Sequence, residues 1–224
     1  MHNPHAYNAQ EQDAIYKVIR ERRDMRHFLA TPVDQAMLQK ILTAAHQAPS
    51  VGLMQPWRFI RITNFHLRHA IHKLVDAERV RTALAINDAE SNARMTEFLN
   101  LKVEGILECG ELLVATLCDK RESAIFGRRT MPEMDVASVS CAIQNMWLSA
   151  RAEGLGLGWV SMFDPIELGQ LLNMPADAKP IAVLCIGHVA SFYKEPMLVE
   201  ENWKTEKPLS KMLMENGWNP ARTI

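Results

Sequence analysis

Near the start of the chain, apolar residues recur at helical spacing in two stretches: Ile15, Val18 and Ile19 within residues 11–21, and Leu38, Ile41, Leu42 and Ala45 within residues 34–48. Each predicts an amphipathic helix with a core-facing stripe, the second capped by Asp34 and ended by Pro49. Trp57 to Ile62 is rich in β-formers and predicts a strand. Residues 65–105 then turn polar and charged, with few large apolar side chains, which predicts an exposed helical excursion. Leu112 to Leu117 is a short apolar strand, and Val139, Ile143, Met146, Trp147 and Ala150 form one stripe of a long helix that stops at Gly154. A strand over Leu157 to Ser161 follows. Asp164, Pro165 and Glu167 are a capping acid, a first-turn proline and a Glu three residues after the cap, so a short helix runs from there to Asn173. Ile181 to Val189 is unbroken apolar sequence and reads as a buried central strand.

From Ser191 the pattern becomes irregular yet keeps Pro196, Trp203, Pro208 and Trp218, so residues 191–224 are expected to form an arm that wraps its own domain or a partner subunit. No repeat, low-complexity tract or linker divides the chain. The expectation is a single α+β domain over residues 1–224, one sheet with helices packed on it.

Composition narrows the function. A chain of 224 residues, 48% hydrophobic, buries a sizeable core unaided. Its 25 basic and 26 acidic residues leave a net charge of −1, too weak a field to hold nucleic acid or an anionic membrane, so any anion must be held locally. No apolar run approaches the roughly 20 residues of a membrane helix, and the start lacks the pattern of a signal peptide. The four cysteines, Cys109, Cys118, Cys141 and Cys185, are dispersed among apolar neighbours and read as buried thiols of a reducing cytoplasm.

Three segments could carry chemistry. Arg22-Arg23-Asp24-Met25-Arg26 places three guanidiniums at a helix end, able to fork onto a phosphate and a polarised carbonyl, although basic residues there also complement the helix dipole. Ala48 to Trp57 fixes an irregular loop with Pro49, Gly52 and Pro56; Ser50 and Gln55 could bond a heterocycle edge, or the loop could be a rigid connector. Gly154-Leu155-Gly156-Leu157-Gly158 follows a helix and precedes a strand, the reverse of the dinucleotide fingerprint, so it reads as a helix cap that leaves Ser161 at a strand's carboxyl end. His66, His69 and His72 diverge around a helix beside Arg68 and Lys73, a solvated face and not a metal site; no metal is expected. Arg128-Arg129 reads as a surface pair. Nucleophile elbows, zinc-protease motifs and P-loops are absent from the sequence, so hydrolase and NTPase mechanisms have no support.

In order and spacing these segments resemble the FMN-dependent nitroreductase superfamily over nearly the whole chain. The resemblance is closer to its flavin-fragmenting branch, which uses O2 to convert reduced FMN to 5,6-dimethylbenzimidazole, the lower ligand of vitamin B12. Residues 22–26, Ser50 to Trp57, Gly127-Arg128-Arg129-Thr130-Met131-Pro132-Glu133-Met134-Asp135, Gly158 to Ser161 and the tail with Trp203, Pro208-Leu209 and Trp218 carry it. Ordinary nitroreductases usually have Ser where this chain has Asp24, and Asn where it has Leu53.

The resemblance implies a nitroreductase-like fold with a central, mostly antiparallel sheet flanked by helices. It also implies an interlocked homodimer, a lid formed by residues 65–105, and an oxidoreductase of the cytoplasm. Reduced FMN would be substrate and O2 co-substrate, with a separate NAD(P)H-dependent flavin reductase as supplier. Arg22, Arg23 and Arg26 would hold the phosphate and ring carbonyl edge. Met25, Ser50, Gly52 and Gln55 would contribute further contacts, some from the partner subunit, and Met95, Leu99 and Leu101 would face inward from the lid. Asp24 as base and Ser161 as hydroxyl would guide oxidation and proton removal at the first ribityl carbon, which becomes C2 of the benzimidazole as erythrose 4-phosphate leaves. An FMN-dependent nitroreductase or NAD(P)H:flavin oxidoreductase is the alternative on the same fold, and a non-catalytic flavin-binding protein the alternative from another class.

Overall fold

The computed structural model describes residues 4–218, so the end of the expected arm, 219–224, lies outside the described residues. Four strands form the sheet: β1 (Trp57–Arg61), β2 (Glu111–Leu117), β3 (Gly156–Val160) and β4 (Lys179–Gly187), in the order β1-β2-β4-β3. All three pairings are antiparallel, and β2 and β4 sit in the middle. Every residue of β2 is buried, as the unbroken apolar runs of β2 and β4 require of strands covered on both faces.

Helices cover the two faces. On one, α2 (Gln35–His46) and α5 (Met134–Ala152) pack through Leu38, Ile41 and Ala45 against Val139, Ala142, Ile143 and Met146. The expected cap of α2 is present: the Asp34 carboxylate accepts from the Ala36 and Met37 amides. On the other face, α3 (Phe65–Ala89) and α6 (Pro165–Leu171) bury Ile71, Val75 and Leu168 against Ile62, Leu112, Val114 and Val183. Asp164 caps α6 through the Ile166 and Glu167 amides. The C-terminal half of α3 and α4 (Asn92–Asn100) with its cap gather Ala83, Phe98 and Leu101 into a small separate cluster with Trp203 of the arm.

Four expectations are corrected. The helix read over residues 11–21 exists as α1 (Ala9–Glu21), but it buries no residue: Ile15 is 43% and Ile19 50% exposed, because among the described elements α5 is its main packing partner. The 65–105 segment is not wholly an excursion, since Ile71 and Val75 anchor the first half of α3 in the core. Of the cysteines, Cys109 and Cys185 are buried, whereas Cys118 is half-buried and Cys141 is exposed on α5. Arg128 is not a surface residue but is buried on the carboxylate of Asp135.

The sheet's β3 edge is closed by the segment after α1. Asp24 bridges Leu157 in parallel, and the Met25 amide donates to the Leu157 carbonyl at 3.0 Å. The approach demands glycine on β3. A Cβ at Gly158 would collide with the Met25 carbonyl oxygen and lie 3.1 Å from Arg26 Nη1, and one at Gly156 would reach the Met25 side chain. Gly158→Ala is expected to cost about 1–3 kcal/mol by overpacking, seen as a fall of several degrees in Tm. An unchanged melting curve would contradict this close approach.

Candidate functional site

The segment Arg22–Arg26 leaves α1 in extended conformation, Arg22 serving as its C-cap. The strand-like bridge to β3 therefore sends alternate side chains opposite ways. Met25 turns into the core, 1% exposed. Asp24 and Arg26 turn to the other side, where the Asp24 carboxylate is clamped at both oxygens. The Trp159 amide donates to Oδ1 at 2.9 Å, and Arg26 Nη2 donates to Oδ2 at 2.6 Å. Arg26 Nη2 also donates to the Trp159 carbonyl at 2.9 Å, so one guanidinium joins the carboxylate to the strand.

Burial is the strongest influence on Asp24 and raises its pKa above the ordinary carboxylate value. Arg26, the Trp159 amide and Arg22 pull it down without cancelling that rise. Burial likewise lowers the Arg22 pKa, against the attraction of Asp24, and the Arg22 guanidinium lies 4.5 Å over the ring of Trp147. Arg23 donates to the carbonyls of Arg20, Arg22 and Lys194. The arm is tied down here as well. The Tyr193 hydroxyl accepts from the Arg26 amide at 3.2 Å and meets His27 Nδ1 at 2.7 Å.

A cavity of about 900 Å³ opens over this segment, within the roughly 300–1,000 Å³ usual for small-molecule sites. Arg22, Arg23, Asp24 and Arg26 line one side, and Ser161 lies just beyond the end of β3. Phe98, Leu101 and Val103 come from α4 and the turn after it, while Met197, Leu198 and Trp203 come from the arm, whose helix α7 spans Met197–Glu200. The α4–arm contact is held by Arg94, whose guanidinium sits 3.4 Å over the Trp203 ring and donates to the Trp203 carbonyl at 2.8 Å.

The structure thus divides the residues singled out from sequence. Arg22, Arg23, Asp24, Arg26, Leu101 and Ser161 share the cavity. Met25 faces the core, and Met95 and Leu99 pack beside Ala83 and Phe98 without lining the cavity. Ser50, Gly52 and Gln55 also stand outside it: their loop is folded on itself, with the Gln55 amide donating to Ser50 Oγ at 3.0 Å. Sequence reasoning missed Phe98 and Tyr193. Phe98 stands three residues before Leu101 and shares its inward side, a spacing that was there to be read; Tyr193 had no local signal.

An anionic, heteroaromatic group fits this lining on one observation of the structure. Arg23 Nε and Arg26 Nη1 are buried donors with no partner, among the described residues, beside the cavity they help to line. Buried guanidinium N–H groups left unsatisfied are costly, and phosphate or carbonyl oxygens would satisfy them.

Known proteins agree with the fold. The nitroreductase family profile matches residues 19–188. A 5,6-dimethylbenzimidazole synthase of Rhodospirillum rubrum is 36% identical over 199 residues, covering 88% of this chain and 92% of that one. Among solved structures, a BluB-like flavoprotein from Clostridium difficile superposes with TM-score 0.69 at 20% identity, over 92% of this chain and 99% of that one. An iodotyrosine deiodinase bound to FMN and 3-iodo-L-tyrosine superposes with TM-score 0.67 at 20% identity, over 91% of this chain and all of that one. The antiparallel sheet flanked by helices is the nitroreductase fold, and with a relative of this identity across nearly the full length of both chains, the protein belongs to the nitroreductase family, in the branch of the 5,6-dimethylbenzimidazole synthases.

Proposed function

We propose that this protein makes 5,6-dimethylbenzimidazole from reduced FMN and O2, releasing erythrose 4-phosphate and the flavin's pyrimidine ring as an oxygenated fragment that carries the O2 oxygens. The observation that carries the reading is Asp24: a half-buried carboxylate with raised pKa, fixed at both oxygens and set beside three arginines and Ser161 in one cavity. Arg22, Arg23 and Arg26 hold the phosphate and the ring carbonyl edge, with Arg23 Nε and Arg26 Nη1 as free donors. Reduced FMN, when bound, supplies the electrons that activate O2.

Asp24 accepts the proton from the first ribityl carbon. The raised pKa makes it a stronger base than an ordinary aspartate, and its two hydrogen bonds fix the direction from which it acts. Ser161 offers a hydroxyl at the same end of β3. Phe98, Leu101, Val103 and Trp203 keep water from the reacting centre, which supports the role of α4, the end of α3 and the arm as a lid.

The domain is residues 1–224 and works as a homodimer in the cytoplasm. Ile15, Tyr16 and Ile19 on α1, Leu53, and Ile125 with Phe126 are large apolar side chains left exposed on one chain, the surface a second copy would cover. Ser50, Gly52 and Gln55 then contribute to the site across that interface. The buried free thiols Cys109 and Cys185 support a reducing compartment. The flavin is consumed with its electrons and cannot be recharged in place, so a separate NAD(P)H-dependent flavin reductase supplies it.

Two outcomes test the reading. Pre-reduced FMN mixed with air-saturated buffer should yield dimethylbenzimidazole by mass spectrometry, and Asp24→Asn and Ser161→Gly should each lose product by on the order of 100-fold or more, the usual span of a lost acid–base contribution. Steady NADPH oxidation with a nitroaromatic, leaving FMN intact, would replace this reading with that of a nitroreductase. The pH profile follows from Asp24. The base acts as carboxylate, so activity falls as pH drops through its pKa, and burial raises that pKa. The acid limb of kcat/KM should therefore lie above the ~3.9 of an ordinary aspartate and vanish in Asp24→Asn. A limb at or below the ordinary value would contradict Asp24 as the base.

A further inference from the structure

Residues 127–135 take no part in the cavity, yet they contain the buried charge network that the sequence alone left on the surface. Asp135 Oδ2 accepts from Arg121 Nε at 3.0 Å and from Arg128 Nη2 at 3.2 Å, while its Oδ1 accepts from the Val136 amide at 2.6 Å. Arg128 Nη1 donates to the carbonyls of Arg121 and Ala124, and its Nε reaches the Pro132 carbonyl at 3.4 Å. One guanidinium therefore staples a turn from both ends. Both charges are nearly withdrawn from solvent, Arg128 at 6% and Asp135 at 4% exposure, an arrangement costly to build and costlier to break on one side.

The outer face of that turn bears on the Ser50–Gln55 loop. A Cβ at Gly52 would lie 2.9 Å from the Phe126 ring and 3.2 Å from the Phe126 carbonyl oxygen, and one at Gly127 would lie 2.5 Å from Val51 Cγ2. Both glycines have positive φ, +54° and +73°, so the two backbones meet in a conformation that only small residues accept easily. From the third side, the first turns of α5 fix the loop: the Val51 amide donates to Ser138 Oγ at 3.0 Å, and that hydroxyl donates to the Met134 carbonyl at 2.7 Å. The loop holds Leu53 and Gln55 at positive φ as well, a strain that persists only where the surroundings impose it.

We infer that Arg128 and Asp135 are positioning residues for flavin binding: they hold the 124–132 turn as a mould that sets the Ser50–Gln55 loop, and through it the loop's contacts to reduced FMN. This rests on the reading that the loop touches the flavin, and it assigns a task to a motif that the cavity does not use. The turn acts on binding, whereas Asp24 acts on the chemical step, so disturbing the turn raises KM while leaving kcat nearly untouched.

Gly127→Ala tests it without touching the ion pair. The new methyl must displace Val51 by roughly 1 Å to reach an ordinary contact, and a hydrogen bond from that loop to a charged flavin group, once lost, costs about tenfold or more in binding. Gly127→Ala should raise KM for reduced FMN, and the Kd for oxidised FMN read by flavin fluorescence, at least about tenfold, with kcat held within about threefold. Val51→Ala removes the obstructing methyl but leaves the strain of an alanine at φ +73°, so the double variant should move both constants at least about threefold back toward the parent without reaching it. Arg128→Lys, which keeps the charge but loses the fork, should shift KM and Kd in the same direction.

An unchanged Kd in Gly127→Ala, or a raised Kd that Val51→Ala does not lower at all, overturns the inference. So does a fall in kcat at constant KM. Should Gly127→Ala fail to fold, Arg128→Lys alone decides on the same two constants. If the parent binds FMN but makes no dimethylbenzimidazole, the proposed reaction fails while the Kd series still decides the mould. If the parent binds no FMN, the inference falls with it.

Discussion

The site depends on how closely the chain after α1 lies on the free edge of β3. That approach is one parallel bridge, one backbone hydrogen bond and a glycine with no room for a methyl group. From it follow the inward turn of Met25, the outward turn of Asp24 and Arg26, and the two hydrogen bonds that fix the carboxylate. An edge strand ordinarily exposes unpaired backbone groups. Here a short segment covers that edge and carries the carboxylate and guanidinium groups with it, so closing the sheet and building the site are the same event.

Two layers of control surround this centre. The nearer is electrostatic: Arg26 holds Asp24 charged enough to stay oriented, while burial keeps the carboxylate basic. The farther is mechanical. The arm is pinned at Tyr193 to the Arg26 amide and at Trp203 to Arg94, so the C-terminal chain and α4 close over the same cavity from opposite sides. A half-buried base, local anion donors and an apolar roof suit chemistry on a flavin that must be kept from water.

Much of this was legible in the sequence, and the remainder has a physical cause. Strand β4, the stripe of α5 and the caps at Asp34 and Asp164 are local patterns, and local patterns survive into the fold. The fate of an apolar stripe is not local. Ile15 and Ile19 read as core because their spacing is helical, yet the described residues of one chain cover them only in part. In the first half of α3, Ile71 and Val75 suffice to bury a helix that its charge density placed outside. Arg128 was misplaced for a related reason: a buried guanidinium is licensed by Asp135, seven residues on, together with carbonyls that only the folded turn presents. Of the site residues, Arg22, Arg23, Asp24 and Arg26 came together with the distant Leu101 and Ser161, whereas the Ser50–Gln55 loop stands apart from the cavity within one chain.

The most direct measurement is a crystal structure with FMN bound. The isoalloxazine and phosphate should lie in the cavity on Arg22, Arg23 and Arg26, filling the open donors Arg23 Nε and Arg26 Nη1, with the Asp24 carboxylate and the Ser161 hydroxyl beside the first ribityl carbon. FMN bound elsewhere, or bound in this cavity with Asp24 turned away from the ribityl chain, would contradict the role assigned to that carboxylate.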